Sequence, residues 1–140
     1  MAGRLVVDTS ALMAILLKEP DAVLFAQALH DADELRMSAP SWLEAAQVAT
    51  GRRGGKGYEQ FHELVTRLPV EIVPCDETLA RVAYGAWLRF GKGRHPASLN
   101  FGDCFSYALA KLRGEPLLFK GDDFSKTDIV GANSFAQTLD

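Results

Sequence analysis

Four short blocks of the 140-residue chain place a carboxylate where the local pattern changes: RLVVDTSAL, SAPSWLEAAQV, LNFGDCFSYALAKLRG and PLLFKGDDFSKTD. Asp8 closes an apolar run, and Glu44 lies three residues after Ser41. Asp103 stands just ahead of the helical stripe Phe105, Ala108, Leu109 and Leu112, and Asp122 and Asp123 follow another apolar run. Each acid has a plain structural use. Asp8 and Asp103 can cap helices, Glu44 can complete a capping box with Ser41, and Asp122 or Asp123 can close a turn. Several carboxylates in one crevice are a different matter, because they are poorly hydrated and repel one another until a counter-charge neutralises them. Oxygen ligands suit a hard divalent cation, Mg2+ or Mn2+, and a water on such an ion becomes a nucleophile.

A common crevice requires elements that bring these blocks to one edge. Leu5 to Val7 has the composition of a buried strand, with Thr9 and Ser10 capping a helix over Ala11 to Leu17. Pro20 and Asp21 restart a helix that runs to about His30, and Leu35 to Ala39 can form a strand. Pro40 and Ser41 open a helix carrying Trp42, Leu43, Ala46 and Val48, and GRRGGKG is expected to end it in a loop. A helix over Tyr58 to Leu68 follows, then a strand at VEIV, a helix from Asp76 to about Phe90, and a Gly- and Pro-containing loop to Asn100. After the helix that carries Asp103 come the strand PLLFK, a polar turn, and a short strand near Ile129 and Val130. This alternation predicts an α/β fold with a mainly parallel central sheet flanked by helices, as a single domain over 1–140. In such sheets ligands sit beyond the carboxyl ends of the strands, where Asp8 and the acids after PLLFK fall.

Composition excludes several alternatives. Hydrophobic residues make up 48% of the chain and charged residues 24%, which is ordinary for a globular protein, and no apolar run is long enough to span a membrane. The first apolar segment is broken by Asp8, so no cleavable leader is expected, and Cys75 and Cys104 are too few for a disulfide framework. The expectation is a cytoplasmic protein. A net charge of −3 argues against gripping nucleic acid through bulk positive charge, and the basic clusters Arg52, Arg53, Lys56 and Lys92, Arg94 read as solvated loops. GRRGGKGY lacks the glycine spacing and hydroxyl of a phosphate loop, and His30, His62 and His95 have no zinc-ligand spacing. Cys104 reads as core and not as a nucleophile.

The blocks VVDTSALMAIL, SAPSWLEAAQV, LNFGDCFSYALAK and LLFKGDDFSKTD together resemble the motifs of a PIN-domain ribonuclease, specifically a VapC-type toxin of bacterial toxin–antitoxin pairs, over nearly the whole chain. The resemblance implies a PIN-like fold and an Mg2+- or Mn2+-dependent endoribonuclease whose catalytic and metal-holding acids fall on Asp8, Glu44, Asp103 and one acid of the last block. Many relatives carry an aspartate three residues before the phenylalanine of that block, where this chain has Gly121. Asp122 is favoured as the fourth acid because it follows the strand end directly, with Asp123 and Asp128 nearby. The resemblance also implies an RNA substrate, a VapB-like antitoxin and a homodimer. Leu12, Ile15, Leu16 and Leu24 exceed what one core-facing stripe needs, and supply either an antitoxin groove or a dimer contact. The alternative is a non-catalytic, receiver-like magnesium-binding module, for which Lys120 is the candidate lysine.

Overall fold

Val6 and Val7 point to opposite faces of strand β1 (Arg4–Val7), and both side chains are fully buried. Val7 joins one apolar cluster, and Val6 joins the other. A strand alternates its side chains by construction, so an uninterrupted apolar run requires cover on both sides. The computed structural model describes residues 3–132 and supplies that cover. Helices α1 (Thr9–Leu16), α2 (Ala22–Asp31) and α3 (Ala39–Arg67) lie on the Val7 side. Helices α4 (Glu77–Phe90) and α5 (Phe101–Arg113) lie on the Val6 side.

Four parallel strands form the sheet in the order β3 (Glu71–Val73), β2 (Glu34–Ser38), β1, β4 (Leu117–Leu118). Val6 pairs with Leu117 and Val7 with Leu118, while Leu5 pairs with Leu35. Because the chain moves outward from β1 to β3 and then crosses to β4, the connections diverge at the C-terminal end of β1. Asp8 stands at that switch point. The α/β fold with a mainly parallel sheet is therefore the one the sequence pattern predicts.

Three local expectations differ. GRRGGKG does not form a loop. The helix continues through it with one break at Gly54 (φ 65°, ψ −154°), a backbone region that glycine occupies without penalty. Beyond the break Gly57 lies so close to the preceding turn that a Cβ there would sit 2.2 Å from the Ala49 carbonyl oxygen. The basic residues Arg52, Arg53 and Lys56 are accordingly exposed on a kinked helix. PLLFK pairs as a strand only at Leu117 and Leu118, because β1 ends where Asp8 begins α1, and the Lys120 N–H donates to the Ser10 hydroxyl instead. Near Ile129 and Val130 there is a single parallel bridge, Leu117 to Gly131, in place of a strand.

One face of β2 carries Glu34, Arg36 and Ser38, and the other carries Leu35 and Met37. Arg36 is 5% exposed and donates to Glu115 (2.7 Å), Glu71 (2.6 Å) and Glu34 (2.9 Å). The guanidinium thus ties β2 to β3 and to the turn between α5 and β4. Its planar fork serves three carboxylates at once, which an ammonium on a flexible stem does less well. Replacing it leaves the Glu115 carboxylate, which has little solvent access, without a counter-charge, while Glu34 and Glu71 remain half in water. We expect Arg36→Met to lower unfolding free energy by about 2 kcal/mol, below the full penalty of breaking a wholly buried pair. Urea denaturation measures this, and a loss within about 0.5 kcal/mol would show that the cluster is energetically idle.

Candidate active site

Asp8 is buried, at 4% exposure, and is held by donors from two helices. Its Oδ2 accepts the Ser10 N–H at 3.0 Å and the Ser10 hydroxyl at 2.6 Å, and its Oδ1 accepts the Ser106 hydroxyl. Asp8, and not Thr9 or Ser10, is therefore the N-cap of α1. Ser10 in turn accepts the Lys120 N–H at 2.9 Å, so the end of β4 helps fix the carboxylate at the end of β1. These bonds compensate the desolvation of a charge that apolar strands hold on both sides.

Glu44 reaches the same edge from α3. The expected box with Ser41 does not form, because the helix begins earlier: Ser38 is the N-cap and its oxygen accepts the Ser41 N–H. Pro40 in the first turn is preorganised for that start. Freed from capping, the Glu44 carboxylate lies against the start of α5, where a Cβ on Gly102 would fall 2.5 Å from Oε2. Burial raises the proton affinity of Glu44, the Thr9 hydroxyl pulls it back, and the charge of Asp8 raises it further.

Asp103 enters from α5. Asn100 is the N-cap, and Asp103 is its reciprocal partner: the Asp103 N–H donates to Asn100 Oδ1 at 2.8 Å, and the Asn100 N–H donates to Asp103 Oδ2 at 3.0 Å. Even with that bond, the carboxyl is pushed up to about 7. Burial is the largest cause, followed by the charge of Asp8, with Asp123 and Glu44 adding to it against the Asn100 N–H. Asp8, Glu44 and Asp103 thus meet in one electrostatic field, although they come from three separate blocks.

Among the acids after β4, Asp123 is the one whose charge acts on Asp103. Asp122 is exposed and faces Lys126 at 3.6 Å. Asp128 accepts from the Tyr107 hydroxyl and meets Lys111 at 3.2 Å and Arg89 at 3.6 Å, which places it against the middle of α5 and away from the cleft. Lys120 binds Glu19 at 3.2 Å and Asp21 at 3.0 Å, so its ammonium is committed to the loop between α1 and α2. Burial pushes the Cys104 thiol up to about 11, with the charge of Asp103 adding to it, which disfavours the nucleophilic thiolate. Among the described residues, no group of three or more Asp, Glu, His or Cys side chains is drawn together closely enough to hold a metal ion by itself.

Residues that the acid pattern does not reveal also shape the cleft. Gly102 makes room for Glu44, and its signal is a glycine directly before Asp103 at a helix start. Ser38, Ser41 and Ser106 are buried at 1% exposure each and form a hydroxyl chain to Asp8. Ser106 is betrayed by being a polar residue on the buried side of an otherwise apolar helix.

Residues 5–130 match the model of the PIN domain. Ribonuclease VapC of Mycolicibacterium smegmatis is 48% identical over 129 residues, covering 92% of this chain and all of that protein. Ribonuclease VapC30 of Mycobacterium tuberculosis is 49% identical over 127 residues, covering 90% of this chain and 96% of its own. The fold recurs in a crystal structure of Mycobacterium tuberculosis VapC20, a toxin that cleaves the sarcin–ricin loop (TM-score 0.76, 17% identity, 92% of this chain and 98% of that one). It recurs again in VapBC2 of Rickettsia felis bound to a promoter DNA fragment (TM-score 0.72, 10% identity, 93% and 98%). The chain belongs to the PIN-domain family and, within it, to the VapC ribonucleases.

The raised proton affinity of Asp103 has a stability consequence. From its ordinary value of 3.8 up to about 7, the folded protein holds a proton on this carboxyl that the unfolded chain has released. Its contribution is complete below the lower value and is lost as pH climbs through the upper one. In metal-free buffer we expect the melting temperature of wild type to fall, relative to Asp103→Asn, between about pH 4 and about pH 8. Parallel melting curves for the two proteins across that range would contradict the shift.

Proposed function

We infer that this chain is an endoribonuclease and the toxin half of a toxin–antitoxin pair, and that its acidic cleft works by holding Mg2+ or Mn2+. The observation that carries the reading is the convergence of Asp8, Glu44 and Asp123 on Asp103, which burial and their charges push up to about 7. Carboxylates gathered from four distant parts of a chain destabilise one another unless protons or a cation neutralise them. Their oxygen atoms favour a hard divalent ion, and Mg2+ takes one or two carboxylates while keeping water in its remaining positions.

In this reading Asp8 and Asp103 hold the ion, and Asp123 takes the place that sequence order gave to Asp122. When bound, the ion neutralises charge on the phosphate and lowers the pKa of a water. Glu44, with its proton affinity raised by burial, orients the attacking water and accepts its proton. The water oxygen bonds to phosphorus as the bond to the ribose oxygen breaks, the departing oxygen takes a proton from solvent water to leave as a hydroxyl, and the Glu44 carboxyl then returns its own proton to solvent. Asp8→Asn and Asp103→Asn should each reduce RNA cleavage at least about 100-fold without loss of fold, and EDTA should abolish what wild type does with Mn2+. A folded Asp8→Asn protein that cleaves RNA like wild type would remove the assignment.

The partner readings rest on surface apolar residues. Leu12 is fully buried and so serves the core. Ile15, Val23, Leu64 and Leu68 line a shallow groove between α1, α2 and α3, which suits an amphipathic antitoxin segment. An Arg or Lys from that antitoxin, placed among Asp8, Glu44 and Asp103, would substitute for the cation and silence the enzyme in the cytoplasm. The homodimer contact falls instead on α4 and α5, where Tyr84, Trp87 and Phe101 are 61%, 39% and 81% exposed around an apolar depression floored by Ala83 and Cys104. Light scattering should give twice the monomer mass for wild type and a monomer for Trp87→Glu; two dimers of equal stability would move the contact elsewhere.

A further inference from the structure

Ser106 is the one hydroxyl on the buried stretch of α5 from Cys104 to Ala110 that reaches Asp8, and its own surroundings determine where its proton points. A carboxylate only accepts hydrogen bonds, so the Ser106 hydroxyl donates to Asp8 Oδ1. Having one proton, Ser106 must then accept from Ser41, whose oxygen lies 3.2 Å away. Ser41 has spent its proton in turn and accepts from Ser38 at 2.8 Å. Ser38 accepts the Ser41 backbone N–H at 3.2 Å, which closes the sequence on a donor that cannot reverse. All four bonds therefore run one way, from the first turn of α3 through three buried hydroxyls into Asp8. Chains of this kind polarise each successive donor, most strongly where water is excluded.

The same count fixes what Asp8 has left to offer. Both lone pairs of Oδ2 are taken by the Ser10 N–H and hydroxyl, and one of the pairs on Oδ1 by Ser106. We propose that Ser106 is a positioning residue, which orients Asp8 so that a single lone pair on Oδ1 faces the cleft and meets a divalent cation from one side. The proposal rests on the reading of Asp8 as part of a cation site. It adds that α3, the helix bearing Glu44, and α5, the helix bearing Asp103, are coupled to Asp8 through Ser41 and Ser106. Outer partners of ligating groups are commonly worth 10- to 100-fold in metal affinity.

The test is calorimetric titration of the intact protein with Mn2+, beside RNA turnover and melting temperature, for wild type and Asp8→Asn and for Ser106→Ala, Ser41→Ala and their double variant. Ser106→Ala should weaken Mn2+ binding about tenfold and lower turnover by a similar factor, with a lower melting temperature in the metal-free protein but a cooperative unfolding transition still present. Ser41→Ala, which touches no carboxylate, should give a smaller loss in the same direction. The double variant should bind no more weakly than Ser106→Ala alone, since Ser41 acts through Ser106. A variant too unstable to titrate is replaced by the other single substitution, which reports on the same chain. Wild-type affinity in Ser106→Ala, or losses that add in the double variant, would overturn the proposal while Asp8→Asn still loses binding and the cation site stands. Wild type that binds no Mn2+ would overturn both.

Discussion

Like charges gathered in a space from which water is partly excluded impose the main constraint on this fold. The charge of Asp8 acts on Glu44, and burial with the charges of Asp8, Asp123 and Glu44 makes Asp103 hold its proton to about 7. The fold tolerates this because each acid is tethered before it is crowded. Asp8 has Ser10 and Ser106, and Asp103 has the Asn100 backbone. Glu44 has a berth that exists because residue 102 lacks a side chain. The tethers thereby hold in place acids whose charges would otherwise drive them apart.

The scaffold around the acids answers to the same need for fixed positions. Parallel strands deliver their C-terminal ends to one edge, and the divergence of connections between β1 and β4 opens that edge just where Asp8 stands. The two helical layers differ in what they hold against the sheet. One meets the Leu35 and Met37 face of β2 with apolar side chains, while α5 meets a row of Glu34, Arg36 and Ser38. That polar row begins in an ion cluster and ends in the hydroxyl chain, so one face of a single strand supports the sheet register at one end and the acid site at the other.

Much of this was legible from residue order. Asp8, Glu44 and Asp103 stand out because each sits where an apolar pattern starts or stops, and strand–helix alternation dictates that such points share an edge. Which acid after β4 acts electrostatically on Asp103 was not legible, because Asp122 and Asp123 are adjacent and both exposed, and only the folded turn brings the charge of Asp123 to bear. Here Asp122 faces Lys126, while Asp123 opens the short 3-10 turn Phe124–Lys126. The GRRGGKG stretch misleads for a related reason. Four glycines have the composition of a loop, yet the only non-helical backbone in the stretch is at Gly54, and the helix resumes beyond it with Gly57 packed against the Ala49 carbonyl. The serine chain has no sequence period at all, since its members come from β2, α3 and α5 and meet only through tertiary packing.

The placement of β4 has a consequence for synthesis. The strand that flanks Asp8 on one side, the Lys120 N–H that steadies Ser10 and the Asp123 carboxylate all come from residues 117–123, after all five α-helices and the other three strands among the described residues. Domains begin to organise from the N-terminus as they leave the ribosome. The early helices and β1 to β3 can assemble while the ribosome is still attached, but Asp8 has no second neighbouring strand, and Asp103 does not meet the charge of Asp123, until residues 117–123 have emerged. The edge at which these acids meet is thus assembled last, after the layers that carry Asp8, Glu44 and Asp103.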